Sequence, residues 1–378
     1  MPADGYSRDQ FSAPKVLSEK GKKSVWSLGK RYRPLLGLDI TTSSVKLIEL
    51  SMSGGQYRVE SYAAEPTPHN AINEKAIVDA EAVGEAIRRA VKRSGARSRF
   101  AAIAISGDAA ITKVIQMPKN LGENELEGQV EMQADQYIPF PMEEVSYDYQ
   151  VVGPSEKDPE MLDVLLVATR TENVEQRQAA VQASGLTAQI VDVEAFALEN
   201  ACGLMRHQMP DGGLDRTVAV VDFGASSTTF SVLRDLKVVY TRDFAFGGQQ
   251  LTEEIMRTYG LTMEEAGRAK KEGGLPSNYQ PEVLDPFIDD MTQQVSRSLQ
   301  FYLASGSGRA QPDQILICGG CANIPGAAEV ISSRVGIPAE KGDPLGGMKI
   351  SSKAKAQAVG RDATALLTAC GLALRSFD

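Results

Sequence analysis

Long apolar runs, histidines and cysteines are scarce in this sequence, and each scarcity excludes something. No run approaches the roughly 18 to 20 apolar residues that a membrane-spanning helix needs, and the N-terminus has no apolar core of a secretory signal. A cytoplasmic chain is therefore expected. Four cysteines in 378 residues, Cys202, Cys318, Cys321 and Cys370, are too few and too irregular for a disulfide framework and fit a reducing compartment. Cys318 and Cys321 have the spacing of half a zinc site, but there is no second such pair and His69 and His207 are both far away in sequence, so zinc is set aside. Positive charge is also short: the chain carries a net -9 and no basic stripe interleaved with aromatics, which argues against a nucleic-acid partner. Residues 1–34 are the exception, with eight Lys or Arg against three Asp or Glu, a net +5. This stretch, with Trp26 as its one large anchor, reads as a disordered, solvated arm; an arm near an anionic membrane surface is the sharper alternative.

What the chain does have is length for two cores, 42% hydrophobic residues, and one stretch that occurs twice. LDITTSSVK begins at Leu38 and VDFGASSTT at Val221. Each is an apolar strand ending in an aspartate, Asp39 or Asp222, followed by small residues and a second strand. Small residues at such a turn leave backbone N–H groups free to converge on an anion, and the hydroxyls of Thr42, Ser43, Ser44, Ser226, Ser227 and Thr228 add donors. The aspartates repel phosphate themselves but suit a hydrated Mg²⁺ that bridges to it. Lys46 either reaches a phosphate or faces solvent on an alternating strand.

Around these turns the apolar periodicity predicts strands over 35–40, 45–51 and 57–65, a helix over 79–94, and strands over 100–105 and 111–117. A segment without a counterpart in the second half follows: helix 123–136, the stretch YIPFP from Tyr137, strands 146–152 and 162–169, and helix 172–184. It reads as an inserted α+β subdomain over about 114–186. Phe140 between Pro139 and Pro141 is either a hydrophobic plug in the local core or a docking feature. Strand 187–193 and a helix from Glu194 close the first half, with 209–215 as the linker. The second half repeats the meander over 217–244, then places Gly247 and Gly248 before a helix, a second helix over 263–271 and a core helix over 281–303. A strand at 314–318 runs into GGCANIPG, a turn where backbone approaches a flat ring closely, and an apolar helix over 363–374 closes the chain.

This order, phosphate turn, connecting helix, second phosphate turn and Gly-Gly turn, resembles the actin-like ATPase superfamily of actin, Hsp70 chaperones, sugar kinases and the cell-division protein FtsA. Within it, LLGLDITTSSVKLIEL, EMQADQYIPFPMEEVSYDYQVV, VDVEAFALENA, VDFGASSTTFSVL, FGGQQLTEEI and ICGGCANIPG are similar to the PilM family of type IV pilus assembly proteins. The resemblance covers most of residues 35–330 and implies an α/β actin-like fold: two ribonuclease-H-like lobes, 35–215 and 216–378, with the insertion in the first and ATP in the cleft. It implies that Asp39 with Thr41, Thr42, Ser43 and Ser44 forms the first phosphate motif, and Asp222, Gly224 and Ser226 to Thr228 the second. Glu194 takes the place of a water-orienting residue, Gly247 and Gly248 line ribose and phosphate, Lys270 lies on the base-binding helix, and Gly319, Gly320 and Asn323 form the adenosine turn.

The sequence departs from that pattern at Thr41, where the first motif usually has glycine, and at Gly267, where an acidic residue is expected. Binding of ATP with Mg²⁺ is expected to survive the first change, and rapid hydrolysis not. The implied function is an ATP-binding cytoplasmic scaffold, peripheral to the inner membrane, that takes the N-terminal cytoplasmic peptide of PilN in a groove lined by Tyr137, Phe140 and Tyr149. A small-molecule kinase and an FtsA-like filament protein are the alternatives. FtsA ends in an amphipathic membrane helix where this chain stops at LRSFD, so membrane contact is expected to be indirect or through the basic arm.

Overall fold

The structure is a computed structural model that describes residues 34–73, 75–306 and 310–378, so the basic arm, Pro34 apart, lies outside the described residues. Strands β1 (Leu36–Ile40), β2 (Ser44–Ser53) and β3 (Gln56–Pro66) form the expected meander, antiparallel and with Asp39 opposite Lys46. Helix α1 (Ala80–Ser94) starts where the Asp79 carboxylate accepts a hydrogen bond from the Ala82 N–H and stops at left-handed Gly95. Its Val83, Ala86, Ile87 and Ala90 face the sheet. Strand β4 (Phe100–Ile105) then runs parallel to β1.

The chain next leaves the lobe for β5 (Ala110–Pro118), α2 (Glu123–Tyr137), β6 (Val145–Pro154) and β7 (Met161–Arg170). These build a separate sheet in the order β5-β7-β6, with α2 closing one face over Ile115, Met117, Val164 and Leu166. Helix α3 (Thr171–Ala183) does not belong to this insertion, contrary to the expected span of about 114–186. Its Val174, Ala180 and Val181 pack with α1 in the first-lobe core, because that is where its apolar face finds a partner. Strand β8 (Thr187–Val193) and helix α4 (Glu194–Cys202) complete the first half.

The second half repeats the meander as β9 (Thr217–Phe223), β10 (Thr228–Arg234) and β11 (Lys237–Phe244), followed by α5 (Gly248–Tyr259), α6 (Met263–Glu272) and α7 (Asp285–Ala304). One π-helical turn, Gln280–Leu284, leads into α7, whose Phe287, Ile288, Met291 and Val295 fill the second core as their spacing requires. Strand β12 (Gln314–Gly319), α8 (Ala327–Val335) and β13 (Ala339–Lys341) give a sheet in the order β11-β10-β9-β12-β13.

The C-terminal stretch then returns to the first lobe, so 216–378 is not one lobe. Strand β14 (Lys349–Ile350) adds to β3, making the first sheet β8-β4-β1-β2-β3-β14, and after α9 (Ala356–Asp362) helix α10 (Leu367–Leu374) lies on β1, β2 and α4. Nearly every residue of α10 is apolar, so it needs cover on all sides, and it finds it between the two sheets. The contact is backbone-close: a Cβ on Gly371 would lie 1.8 Å from the Ala197 carbonyl oxygen, and one on Gly37 2.0 Å from that of Ala369. Just beyond, Arg375 Nε donates to Asp192 Oδ2 at 2.6 Å, and both side chains are buried. Such a pair fixes the helix in place more than it adds net stability.

Gly371→Ala is expected to lower stability by about 1–3 kcal/mol or more through overpacking, whereas Gly360→Ala on α9, whose Cβ would meet nothing within 4 Å, is expected to be neutral. Urea denaturation of the two variants checks this, and equal midpoints would contradict the close contact.

Candidate functional site

Strands β1 and β9 occupy the same place in their sheets, each hairpinned to the next strand and parallel to the third, so both end at one cleft with Asp39 and Asp222 at their tips. In the first turn the Thr41 N–H and hydroxyl both donate to the Ser44 carbonyl, at 3.1 and 2.9 Å, and the Ser44 N–H donates back to Thr41 Oγ1 at 3.2 Å. The Thr41 hydroxyl is therefore spent on closing its own turn, and its φ is negative, so no glycine is needed there. In the second turn Gly224 N–H donates to Ser227 O at 3.0 Å, and Thr228 is turned inward, its hydroxyl donating to Phe246 O at 2.7 Å. The tips meet: Thr42 Oγ1 and Ser226 Oγ are 3.0 Å apart, with Ser43 exposed beside them.

Lys46 settles on the cleft side, its ammonium 2.7 Å from Asp39 Oδ2 and mostly buried. Burial pulls its pKa down, but Asp39, with Asp222 and Asp362 adding, holds it above the ordinary value. Asp222 has no such partner, and burial, with Asp39 adding, raises its pKa to about 6 against the pull of Lys46.

The Gly-Gly elements support the second turn. Gly248 N–H donates to Gly224 O at 3.0 Å, and Lys270 Nζ braces that glycine pair by donating to Gly248 O at 2.7 Å and Thr252 Oγ1 at 2.6 Å. A Cβ on Gly247 would lie 2.4 Å from Ala225 O, so this neighbour too presses on the turn. Gly319, at φ +84°, comes so close to β9 that a Cβ would lie 2.2 Å from Phe223 O, and Gly320 follows in open space. Asn323 points away: its amide donates to Arg361 O and Thr364 Oγ1, and so fastens this turn to the C-terminal stretch.

Glu194, the first residue of α4, reaches the cleft as well. Burial is the main cause of its pKa rising to about 7; Asp39 and Asp243 add to the rise and Lys75 and Arg177 oppose it. Lys75, Asp243 and Arg177 are residues that sequence reasoning missed. Lys75 Nζ lies 2.5 Å from Asp243 Oδ2 on β11, 3.9 Å from Asp108 Oδ1 and 4.0 Å from Glu194 Oε2, so one ammonium ties the two lobes together. Buried Arg177 holds it from behind, Nη2 donating to the Lys75 carbonyl at 3.1 Å. Neither strand alternation nor a repeated motif marks them; only the left-handed φ of +69° at Lys75 is unusual, and that is a structural signal.

Among the described residues no group of three or more His, Cys, Asp or Glu is arranged to hold a metal ion.

In the insertion, Phe140 is half-buried with the Arg170 guanidinium 4.3 Å above its ring, and Tyr149 is half-buried on edge strand β6. Tyr137 is exposed at the end of α2, 5.1 Å below Lys113 of the other edge strand, β5. A cavity of about 210 Å³ opens where the insertion meets α3, lined by Glu144, Arg170, Thr171 and Glu172. No helix among the described residues is long and apolar enough to cross a membrane.

Two sheets with duplicated β-hairpins ending at one cleft, and an α+β insertion in the first lobe, define an actin-like ATPase fold. A sequence model of the type IV pilus assembly protein PilM matches residues 37–377, and the chain belongs to that family. Among solved structures, a PilM–PilN type IV pilus biogenesis complex is similar at 28% identity and TM-score 0.74, covering 91% of this chain and 98% of that one. The ethanolamine utilization protein EutJ from Carboxydothermus hydrogenoformans shares the fold at 18% identity and TM-score 0.53, over 90% of this chain and 89% of its own.

The raised carboxylate of Asp222 fixes the sign of a pH effect. Its stabilising contribution is full below the ordinary carboxylate range and is lost as pH rises through about 6. Asp222→Asn is expected to flatten that part of the stability profile. Denaturation midpoints from pH 4 to 7 for both proteins check it, and an unchanged slope would contradict the assignment.

Proposed function

We propose that the chain is an ATP-binding scaffold of the type IV pilus machine, and that it holds the N-terminal cytoplasmic peptide of PilN at its insertion. The observation that carries this reading is the meeting of two phosphate-type turns at 3.0 Å, with Asp39 and Asp222 behind them, in a member of the PilM family. With Mg²⁺ and ATP bound, the site would gain a chain of phosphates and a divalent cation between the tips. The free N–H groups and the hydroxyls of Thr42, Ser43 and Ser226 then donate to phosphate, and Lys46 supplies a second cation. Asp39 and Asp222 would hold the metal through water, which would favour the ionised form of Asp222.

The contact between Thr42 and Ser226 has to part to admit phosphate, so binding reports directly on lobe separation. Glu194 would orient water there, and its pKa of about 7 supports that role. Thr41 locks the first turn upon itself, which suits holding a nucleotide more than turning it over. The insertion leaves the first lobe next to the cleft, after β4, and returns through α3, which carries Arg177. Lobe position is thereby linked to the insertion, and the chain reaches the inner membrane through its partner. Neither the kinase nor the FtsA-like alternative is favoured by family membership.

Linkage requires that each ligand change the affinity of the other equally. Titration calorimetry of a PilN N-terminal peptide is expected to show tighter binding with Mg²⁺ and ATP present, and Phe140→Ala with Tyr149→Ala is expected to weaken it about tenfold or more, the cost of losing one or two buried anchors. Identical peptide affinity with and without nucleotide would contradict the coupled scaffold.

A further inference from the structure

The insertion holds most of the chain's surplus charge. From Ala110 to Arg170 there are twelve Asp or Glu and four Lys or Arg, a net -8 within a chain of net -9. Part of it is concentrated on one face of α2, where Glu123, Glu127 and Glu131 follow one another at four-residue spacing. Like charges at that spacing repel and destabilise a helix. Among the described residues none of the three has a basic partner, and neither have Glu143 and Glu144 at the start of β6. The stripe runs beside the edge strand β6, where burial and the carboxylates of Glu123, Glu127 and Glu131 raise the pKa values of Tyr147 and Tyr149. Val151, next along that face of the strand, is 39% exposed. The result is an acidic trough with an aromatic and aliphatic floor.

The chain carries its complement. Residues 15–33, KVLSEKGKKSVWSLGKRYR, alternate clusters of Lys and Arg with Val16, Leu17, Val25, Trp26 and Leu28. They join the body at Pro34, just before β1, whereas the insertion leaves after the far end of β4, which runs parallel to β1. The distance to cover is thus one strand length, about 17–20 Å, and then the insertion itself. A segment of these nineteen residues spans about 65 Å when extended. We propose that the basic N-terminal arm docks in cis on the acidic trough between α2 and β6 and shields it until a partner segment displaces it. The shielding rests on the partner reading above; the docking does not.

Carbodiimide cross-linking of the full chain, which joins lysines to carboxylates in direct contact, tests this. Mass spectrometry of the monomer is expected to find Lys20, Lys22 or Lys23 joined to Glu123, Glu127 or Glu131, and high salt to abolish these links. The full-length K20E/K22E/K23E variant, with its body unaltered, is expected to lose the links and to bind the PilN peptide several-fold more tightly. Absence of such links overturns the proposal. So does finding them only in covalent dimers, which assigns the trough to a second copy's arm. Binding of the full chain to anionic but not neutral vesicles, lost in the variant and without internal links, overturns it in favour of a membrane-facing arm. Links present with unaltered peptide affinity would place the peptide elsewhere, counting against the partner reading and not against the docked arm.

Discussion

One apolar layer shared by the two sheets sets the geometry of everything else. Ile48, Leu50 and Val59 from the first sheet meet Val220, Leu233 and Leu316 from the second, with α4 and α10 between them supplying Ala201, Cys202, Ala369 and Cys370. Because this layer ties the lobes together at their backs, the C-terminal ends of β1 and β9 point into one cleft, close enough for Asp39 to raise the pKa of Asp222. A helix that must be covered on every side does this joining, and glycine at 37 and 371 lets it come close enough.

The cleft that results holds more acid than base. Asp39, Asp222, Glu194, Asp243 and Asp108 face Lys46, Lys75 and Arg177, and burial, with neighbouring carboxylates adding, raises the pKa values of Asp222 and Glu194 to about 6 and about 7. Such a site does not favour a bare polyphosphate. It suits one that brings a divalent cation, which converts the surplus carboxylates from a penalty into ligands. Lys75 acts differently: its ion pair with Asp243 joins residues of the two lobes, so any separation of the lobes has to break it.

Most of the architecture was legible because its signals are local. Short apolar runs bounded by turn residues along β1 to β3 and β9 to β11, Gly95 at the end of α1, and the apolar stripe of α7 each state their element without reference to the rest of the chain. The two aspartates and the small-residue turns were legible for the same reason, since a repeated motif announces itself. The return of α10 to the first lobe was not, because an all-apolar helix says only that it is buried and not between what. Nor was the end of the insertion: α3 follows β7 with no break in the chain, and only its contact with α1 shows where it belongs. Lys75, Asp243 and Arg177 escaped because a cluster assembled from three distant segments leaves no spacing to read. Thr41 was seen as a departure, but the way its hydroxyl closes the turn required coordinates.

The account stands on the two hairpins acting as a single nucleotide site. Hydrogen exchange of the full chain with and without Mg²⁺ and ATP tests that most directly, since the amides of residues 41–44 and 224–228 lie on different lobes. Protection gained by both turns together, at one nucleotide concentration, is the result predicted. Protection of one turn alone, or of neither, would contradict it.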